Sequence, residues 1–233
     1  MSTLLHLPAL WLLATLAAYL FASWLHKRCA NNAMTHPLLV AVLLVLPLLW
    51  LTGTPYEQYF SSAQFIHLLL GPATVALAVP LYANLSHVRR VWRPLLLALT
   101  VGGLVGILSA ILIGRAFGLP HDVLISFAPK SVTTPIAMAL ADKLGGNTSL
   151  AAAAVIVTGI VGALCASGLF KLLRIRDEAV QGFAIGLASH GVGTTRALQI
   201  SLKAGAFSGL GMSLNGIFTS IILPAILALC SLN

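Results

Sequence analysis

Ala128-Pro-Lys-Ser-Val-Thr-Thr-Pro135 and Ser189-His-Gly-Val-Gly-Thr-Thr-Arg196 interrupt a chain that is otherwise oily. Each stretch places helix-breaking residues, hydroxyls and a cation where the flanking sequence is apolar enough for membrane depth. In hydrocarbon an unpaired backbone amide or carbonyl costs several kcal/mol, so such breaks persist only where protein or trapped water surrounds them. They therefore mark the place where a solute would bind.

The remainder of the chain sets the frame for these two breaks. Of 233 residues, 59% are hydrophobic and 8% charged, and the mean hydropathy is +0.99, too little polar surface for a soluble domain. The expectation is an all-α integral membrane protein, residues 1–233 forming one polytopic domain in the lipid bilayer. About seven to eight membrane segments of about 20 residues each fit this length. They read as residues 7–25, 37–51, 63–85, 94–117, 122–143, 149–173, 179–203 and 207–229, the fifth and seventh broken or re-entrant. The polar turn Gly53-Thr-Pro-Tyr56-Glu57-Gln-Tyr59 and the stretch Gly145-Gly-Asn-Thr-Ser149 punctuate the chain.

The formal charge of +8 arises from cations scattered at segment ends, such as Lys27-Arg28, Arg89-Arg90-Val91-Trp92-Arg93 and Lys171-Leu-Leu-Arg174-Ile-Arg176. That is the pattern of the positive-inside rule and not of nucleic-acid binding. The first apolar run has no basic region before it and ends in His26-Lys27-Arg28, so it reads as a retained helix, and a bacterial inner membrane is the simplest location. Cys29, Cys165 and Cys230 lie far apart, with no spacing for a metal site. Neither a metal nor a cofactor is expected. No HExxH, GxSxG or Walker loop occurs, so the chain does not read as an enzyme. With the amino terminus outside and the first four segments crossing, the Lys171 to Arg176 cluster is cytoplasmic only if residues 122–143 enter and leave on one side.

The chain also resembles itself. Pro72-Ala-Thr-Val-Ala-Leu-Ala78 aligns with Pro135-Ile-Ala-Met-Ala-Leu-Ala141, and Gly103-Leu-Val-Gly106 with Gly159-Ile-Val-Gly162. Thr194-Thr195 matches Thr133-Thr134, and Asn215-Gly-Ile217 matches Thr158-Gly-Ile160. These are either internal repeats or the shared small-residue composition of packed membrane helices.

In the first break, Pro129 and Pro135 free nearby carbonyls, while Ser131, Thr133 and Thr134 can cap a restarted helix beside the cation Lys130. A helix amino terminus with a cation suits a small anion such as a carboxylate; the alternative is a kinked helix whose lysine snorkels to water. In the second break, Gly191 and Gly193 permit positive φ and close approach, and Thr194 and Thr195 can cap the helix carrying Arg196. The planar guanidinium of Arg196 matches a carboxylate bidentately; its alternatives are a lipid phosphate or a structural carboxylate such as Asp142. His190 is a candidate for proton coupling or a satisfied hydrogen-bond partner. Asp142 is either a salt-bridge partner for Arg196 or Lys130 or the proton site itself. Asn215, inside the last apolar segment, either binds solute or joins helices.

Several motifs together resemble the LrgB/CidB/YohK family: Pro129-Lys-Ser-Val-Thr-Thr-Pro-Ile-Ala-Met138, Ala188-Ser-His-Gly-Val-Gly-Thr-Thr-Arg-Ala197, Gly205-Ala-Phe-Ser208 with Leu214-Asn-Gly-Ile217, and Leu70-Gly-Pro-Ala-Thr-Val-Ala-Leu-Ala-Val-Pro-Leu-Tyr82. The resemblance covers residues from about 55 to 233. It implies a bacterial inner-membrane protein, historically called antiholin-like or an effector of murein hydrolases, accompanied by a small LrgA/CidA-type membrane partner. The same family includes a plastidial glycolate/glycerate translocator, in which a partner-like region is fused, and bacterial members linked to pyruvate uptake. The leading expectation is thus a secondary transporter of small monocarboxylates (glycolate, glycerate, pyruvate or lactate) acting as a homo-oligomer. The substrate carboxylate would sit between the two breaks near the bilayer midplane, bound by Lys130, Ser131, Thr133 and Thr134 from the first, by His190, Gly191, Gly193, Thr194, Thr195 and Arg196 from the second, and by Asn215. The alternative is an antiholin-like regulator of lysis that carries no solute.

Overall fold

A computed structural model describes residues 8–29, 35, 37–69, 72, 82 and 85–229. Among these residues every regular element is a helix. Residues 1–76 and 77–233 form two compact units. Most of the third expected membrane segment, and the first copy of the Pro72 repeat beyond Pro72 itself, lie outside the described residues.

The first unit contains α1 (Pro8–Arg28), α2 (Pro37–Thr52) and α3 (Tyr56–Leu68). Trp11 of α1 meets Tyr59 of α3 edge to face at 6.1 Å, and Thr15 Oγ1 lies 3.2 Å from the Tyr59 hydroxyl. The polar turn is shorter than the sequence suggests. Pro55 accepts from the Tyr59 amide, so helix begins at Tyr56.

The second unit holds α4 (Leu85–Arg90), α5 (Trp92–Ala116), α6 (His121–Phe127), α7 (Thr134–Leu144), α8 (Thr148–Leu172), α9 (Glu178–Ile200) and α10 (Leu202–Leu229). Across the described residues, α1 from Ala9, α5, α8 and α10 are long and apolar enough to cross a membrane, and α2 is a shorter apolar helix. Leu97 and Leu112 on α5 are more than half exposed, as a lipid-facing surface requires.

Both broken segments double back. Gly114 near the end of α5 packs on Leu124 of α6, and deeper along the same helix Gly106 accepts a hydrogen bond from Lys130. The chain therefore retraces the second half of α5, turns through residues 128–133, and returns as α7. Its return is sealed where the Asn147 amide donates to Ser126 Oγ at 2.7 Å. Gly145 ends α7 at φ 84°, a left-handed position that glycine takes without penalty. The Asn147 side chain then accepts from the Leu150 amide to cap α8.

The second reversal occurs at one residue. His190 has φ 43° and ψ −135°, and such backbone costs a side-chain-bearing residue about 1–3 kcal/mol. The arm before it runs alongside the start of α10, with Gly182 against Ala204 and Gly186 against Ser208. The arm after it runs back, with Gly193 on Ile185 and Leu198 on Gly205. Gly191 and Gly193, expected to supply positive φ, do not; among the described glycines only Gly53, Gly118 and Gly145 take it. Close approach is what Gly193 provides instead.

The two helical hairpins enter from opposite ends. The first starts where α5 ends and α8 begins; the second starts where α8 ends and α10 begins. Val91, Leu95, Leu99, Ala179, Phe183 and Phe207 pack together at the second end, which also carries Arg89, Arg90, Arg93, Lys171, Arg174, Arg176 and Lys203. Arg115 and Lys143 stand at the other end, beside Asp122 and Asp142. The paired motifs Gly103–Gly106 and Gly159–Gly162 occupy corresponding places: the first pair faces Asn215 and Ser131, the second His190 and Ser189.

Arg174 adopts φ 55° where α8 terminates, with the Ile175 amide on the Phe170 carbonyl at 2.9 Å. Glycine usually holds this position, and a side chain there costs about 1 kcal/mol.

A methyl group added at Gly186 would fall on the Ser208 carbonyl. Gly186→Ala is expected to destabilise the protein by about 1–3 kcal/mol, while Gly168→Ala, with nothing within 4 Å, leaves stability unchanged or raised. Thermal unfolding of the detergent-purified variants compares them.

Candidate functional site

The tips of the two hairpins line one cavity of about 570 Å³. Ala128, Pro129, Lys130 and Ser131 come from the first tip and Leu187, Ala188 and Ser189 from the second. The long helices complete it near their middles, with Gly102 to Ile107 (except Leu104) from α5, Val157, Thr158, Val161 and Gly162 from α8, and Asn215 and Thr219 from α10.

Local sequence explains each tip. Pro129 has no amide hydrogen, so α6 stops at Phe127 and two tight turns follow, Lys130 N to Phe127 O and Val132 N to Pro129 O. They carry Lys130 against α5, where its Nζ donates to the Gly106 carbonyl at 3.0 Å. Lys130 is the one charged side chain among the described lining residues. At the second tip, His190 is 4% exposed and its Nε2 donates to the Val155 carbonyl at 2.9 Å, which anchors the strained residue to α8. A side chain at Gly162 would collide with Ser189 Oγ. Glycine there lets the tip reach the middle of α8.

Asn215 joins the tips. Its side chain, 2% exposed, donates to the Ser131 carbonyl at 3.2 Å and to the Leu187 carbonyl at 3.0 Å. Its Oδ1 accepts from Thr219 Oγ1 at 3.4 Å. Asn215 thus joins helices, as one of the two sequence readings held, and it also lines the cavity.

Lys130, Ser131 and Asn215 are brought together in the cavity, and His190 stands directly behind its wall next to Ser189. The other expected positions lie elsewhere. Thr133 is the N-cap of α7 but its side chain makes no capping bond, and Thr134 follows it outside the lining. Thr194 Oγ1 donates to the His190 carbonyl and pairs with Ser208 Oγ at 2.9 Å; Thr195 Oγ1 donates to the Val192 carbonyl. Both hydroxyls satisfy carbonyls of the preceding turn, the usual arrangement inside a helix, and neither caps. Gly191 and Gly193 sit in the returning arm.

Arg196 points away from the cavity. Its Nη1 donates to Gln199 Oε1 and its Nη2 to Ser167 Oγ, each at 2.8 Å. Asp142 is exposed on α7, whereas Lys130 bonds the Gly106 carbonyl and Arg196 bonds Gln199 and Ser167. Ser189, Thr158 and Thr219 were not singled out for the site. Thr158 was visible as the counterpart of Asn215 in the repeat, and Thr219 is one helical turn beyond it.

The chain matches the family model described as the LrgB-like family over residues 15–229, which takes in the amino-terminal helices beyond the span of the motifs. It is 37% identical over 215 residues to the uncharacterized protein YxaC of Bacillus subtilis (strain 168), covering 92% of this chain and 93% of that one. Against YwbG of the same organism the identity is 33% over 217 residues, covering 93% and 96%. With the holin-like protein CidB of Staphylococcus aureus (strain N315) it is 29% over 220 residues, covering 94% and 96%. No solved structure matches this chain.

Replacing Asn215 by Leu keeps the helix but leaves the Ser131 and Leu187 carbonyls without their donor. A loss of about 2–4 kcal/mol is expected for two stranded buried acceptors, read as a lowered unfolding midpoint; Thr219→Val, which removes one weak bond, should cost about 1 kcal/mol or less.

Proposed function

Because the chain belongs to the LrgB-like family and closes two helix breaks around one cavity that holds a lysine and several hydroxyls, we propose that it is a secondary transporter of small monocarboxylates. The observation that carries this reading is Lys130 at the meeting of the two tips. A carboxylate leaving water for a low-dielectric site needs a cation and hydrogen-bond donors. Lys130 spends one of its hydrogens on Gly106, and an ammonium has three. Ser131, Ser189, Thr158 and Thr219 offer hydroxyls for the hydroxyl or keto oxygen of glycolate, glycerate, pyruvate or lactate. The volume is within the range of small-molecule sites.

In this proposal both hairpins are re-entrant. Each closes the cavity toward one face, and alternating access comes from parting one tip while the other stays sealed. The cation-rich end faces the cytoplasm of a bacterial cell. Single cysteines at Gly146 and Asp177, introduced in a background lacking Cys29, Cys165 and Cys230, should label from opposite faces of the membrane. Labelling from the same face overturns the arrangement.

The holin-like name of CidB favours a second reading, a regulator of murein hydrolase activity or lysis that works with a small holin-like membrane partner and carries no solute. Purified protein in liposomes separates the two. Labelled glycolate or pyruvate should enter in a saturable manner, and Lys130→Gln should slow it about tenfold or more, the worth of one charged hydrogen bond. Arg196→Gln should retain most of the uptake, since its side chain lies outside the cavity. Absence of uptake for every carboxylate, with the partner present, leaves the regulator.

A further inference from the structure

A second cavity, of about 360 Å³, opens at the cation-rich end where α8 hands over to α9. Lys171, Arg174 and Arg176 supply three cations to its wall, Phe170 and Ile175 an apolar surface, and Ser167 and Gln181 polar atoms. Among the described residues no carboxylate lines it.

Two details point to an anion as its occupant. Arg174 holds the left-handed residue at the end of α8, where glycine would sit without strain, and its side chain forms part of the cavity wall. Ser167 Oγ accepts from Arg196 Nη2. One of the hydroxyl's two lone pairs is thereby occupied by a guanidinium, and its hydrogen is left to donate. Arg196 Nε is buried and has no hydrogen-bond partner, so a fourth positive group stands one bond behind the wall.

We propose that this cavity binds the phosphate diester of an anionic phospholipid, with Lys171, Arg174 and Arg176 around the phosphate and the glycerol and first acyl carbons against Phe170 and Ile175. A free phosphate would meet the same cations but would have no use for the apolar wall. The position fits a headgroup, at the end of a membrane-crossing helix and among the cations that an anionic leaflet attracts. Lipid bound there would brace the opening of the second hairpin, because Gln181 in the arm before His190 and Ser167 on α8 both line the cavity. The inference does not depend on what the central cavity carries.

The test uses the full chain in detergent, with thermal unfolding followed as phosphatidylglycerol, phosphatidylcholine or inorganic phosphate is added. Phosphatidylglycerol should raise the midpoint by about 5 °C at a large excess over its dissociation constant, and the other two should not. Arg174→Gly should lose most of that rise while its lipid-free midpoint is unchanged or higher, because the strain is relieved. Lys171→Gln should also lose much of the rise, and it serves as a second variant at a helical position. Arg93→Gln, at the same end but stacked on Trp92 outside the cavity, should keep it. A rise reproduced by inorganic phosphate assigns the site to a free anion and overturns the lipid. A full rise in both cavity variants, or an equal loss in Arg93→Gln, overturns the site.

Discussion

One side-chain amide lets this unit contain two broken helices. In an unbroken α-helix the Leu187 carbonyl would accept from residue 191, but the chain reverses at His190. The Ser131 carbonyl lies in the turn between α6 and α7, where no helix continues. Stranded in hydrocarbon, each would cost several kcal/mol. Asn215, near the middle of α10, donates to both. The same bonds that satisfy the backbone also hold the hairpin tips together and define one wall of the cavity.

The approach of the elements follows from that requirement. For the second tip to reach mid-helix, α9 must lie nearly in contact with α10 and with α8, and small residues occupy the crossing points: Gly182 and Gly186 against Ala204 and Ser208, and Gly162 against Ser189. Packing of small residues stands in for the hydrophobic effect, which has little to drive it between helices already in lipid. His190 shows the other side of the arrangement. It accepts a strained backbone, and the hydrogen bond to Val155 together with near-complete burial offsets it.

Lys130 and the cation-rich end of the unit have different surroundings. Lys130 is the one charged side chain among the described residues around the central cavity, in company with glycines, hydroxyls and aliphatic side chains, and a charge so placed needs a partner. Arg196 and the cluster from Lys171 to Arg176 belong to the end of the unit, where charge meets water and headgroups at little cost. The family's holin-like names describe relatives as wholes; the central cavity gives those names a chemical question to answer.

Much of the fold was legible in the sequence. Apolar runs of membrane length and prolines at residues 129 and 135 located helices and the first break, because length and missing donors are local properties; the glycines at 191 and 193 marked the neighbourhood of the second, but the reversal itself falls on His190. With the amino terminus taken as outside, pairing of the cation clusters led to the expectation that the first break enters and leaves on one side. Which residues face the solute was not local. Arg196 has the chemistry of an anion ligand but turns to Ser167, and Thr194 and Thr195 have the chemistry of caps but lie inside a helix and bond its carbonyls. The sequence by itself determined that the protein is helical, apolar and twice interrupted. Only the tertiary structure decided that the interruptions meet through Asn215, because that depends on one turn and two helices bringing residues 131, 187 and 215 within hydrogen-bond reach, a distance that no spacing along the chain encodes.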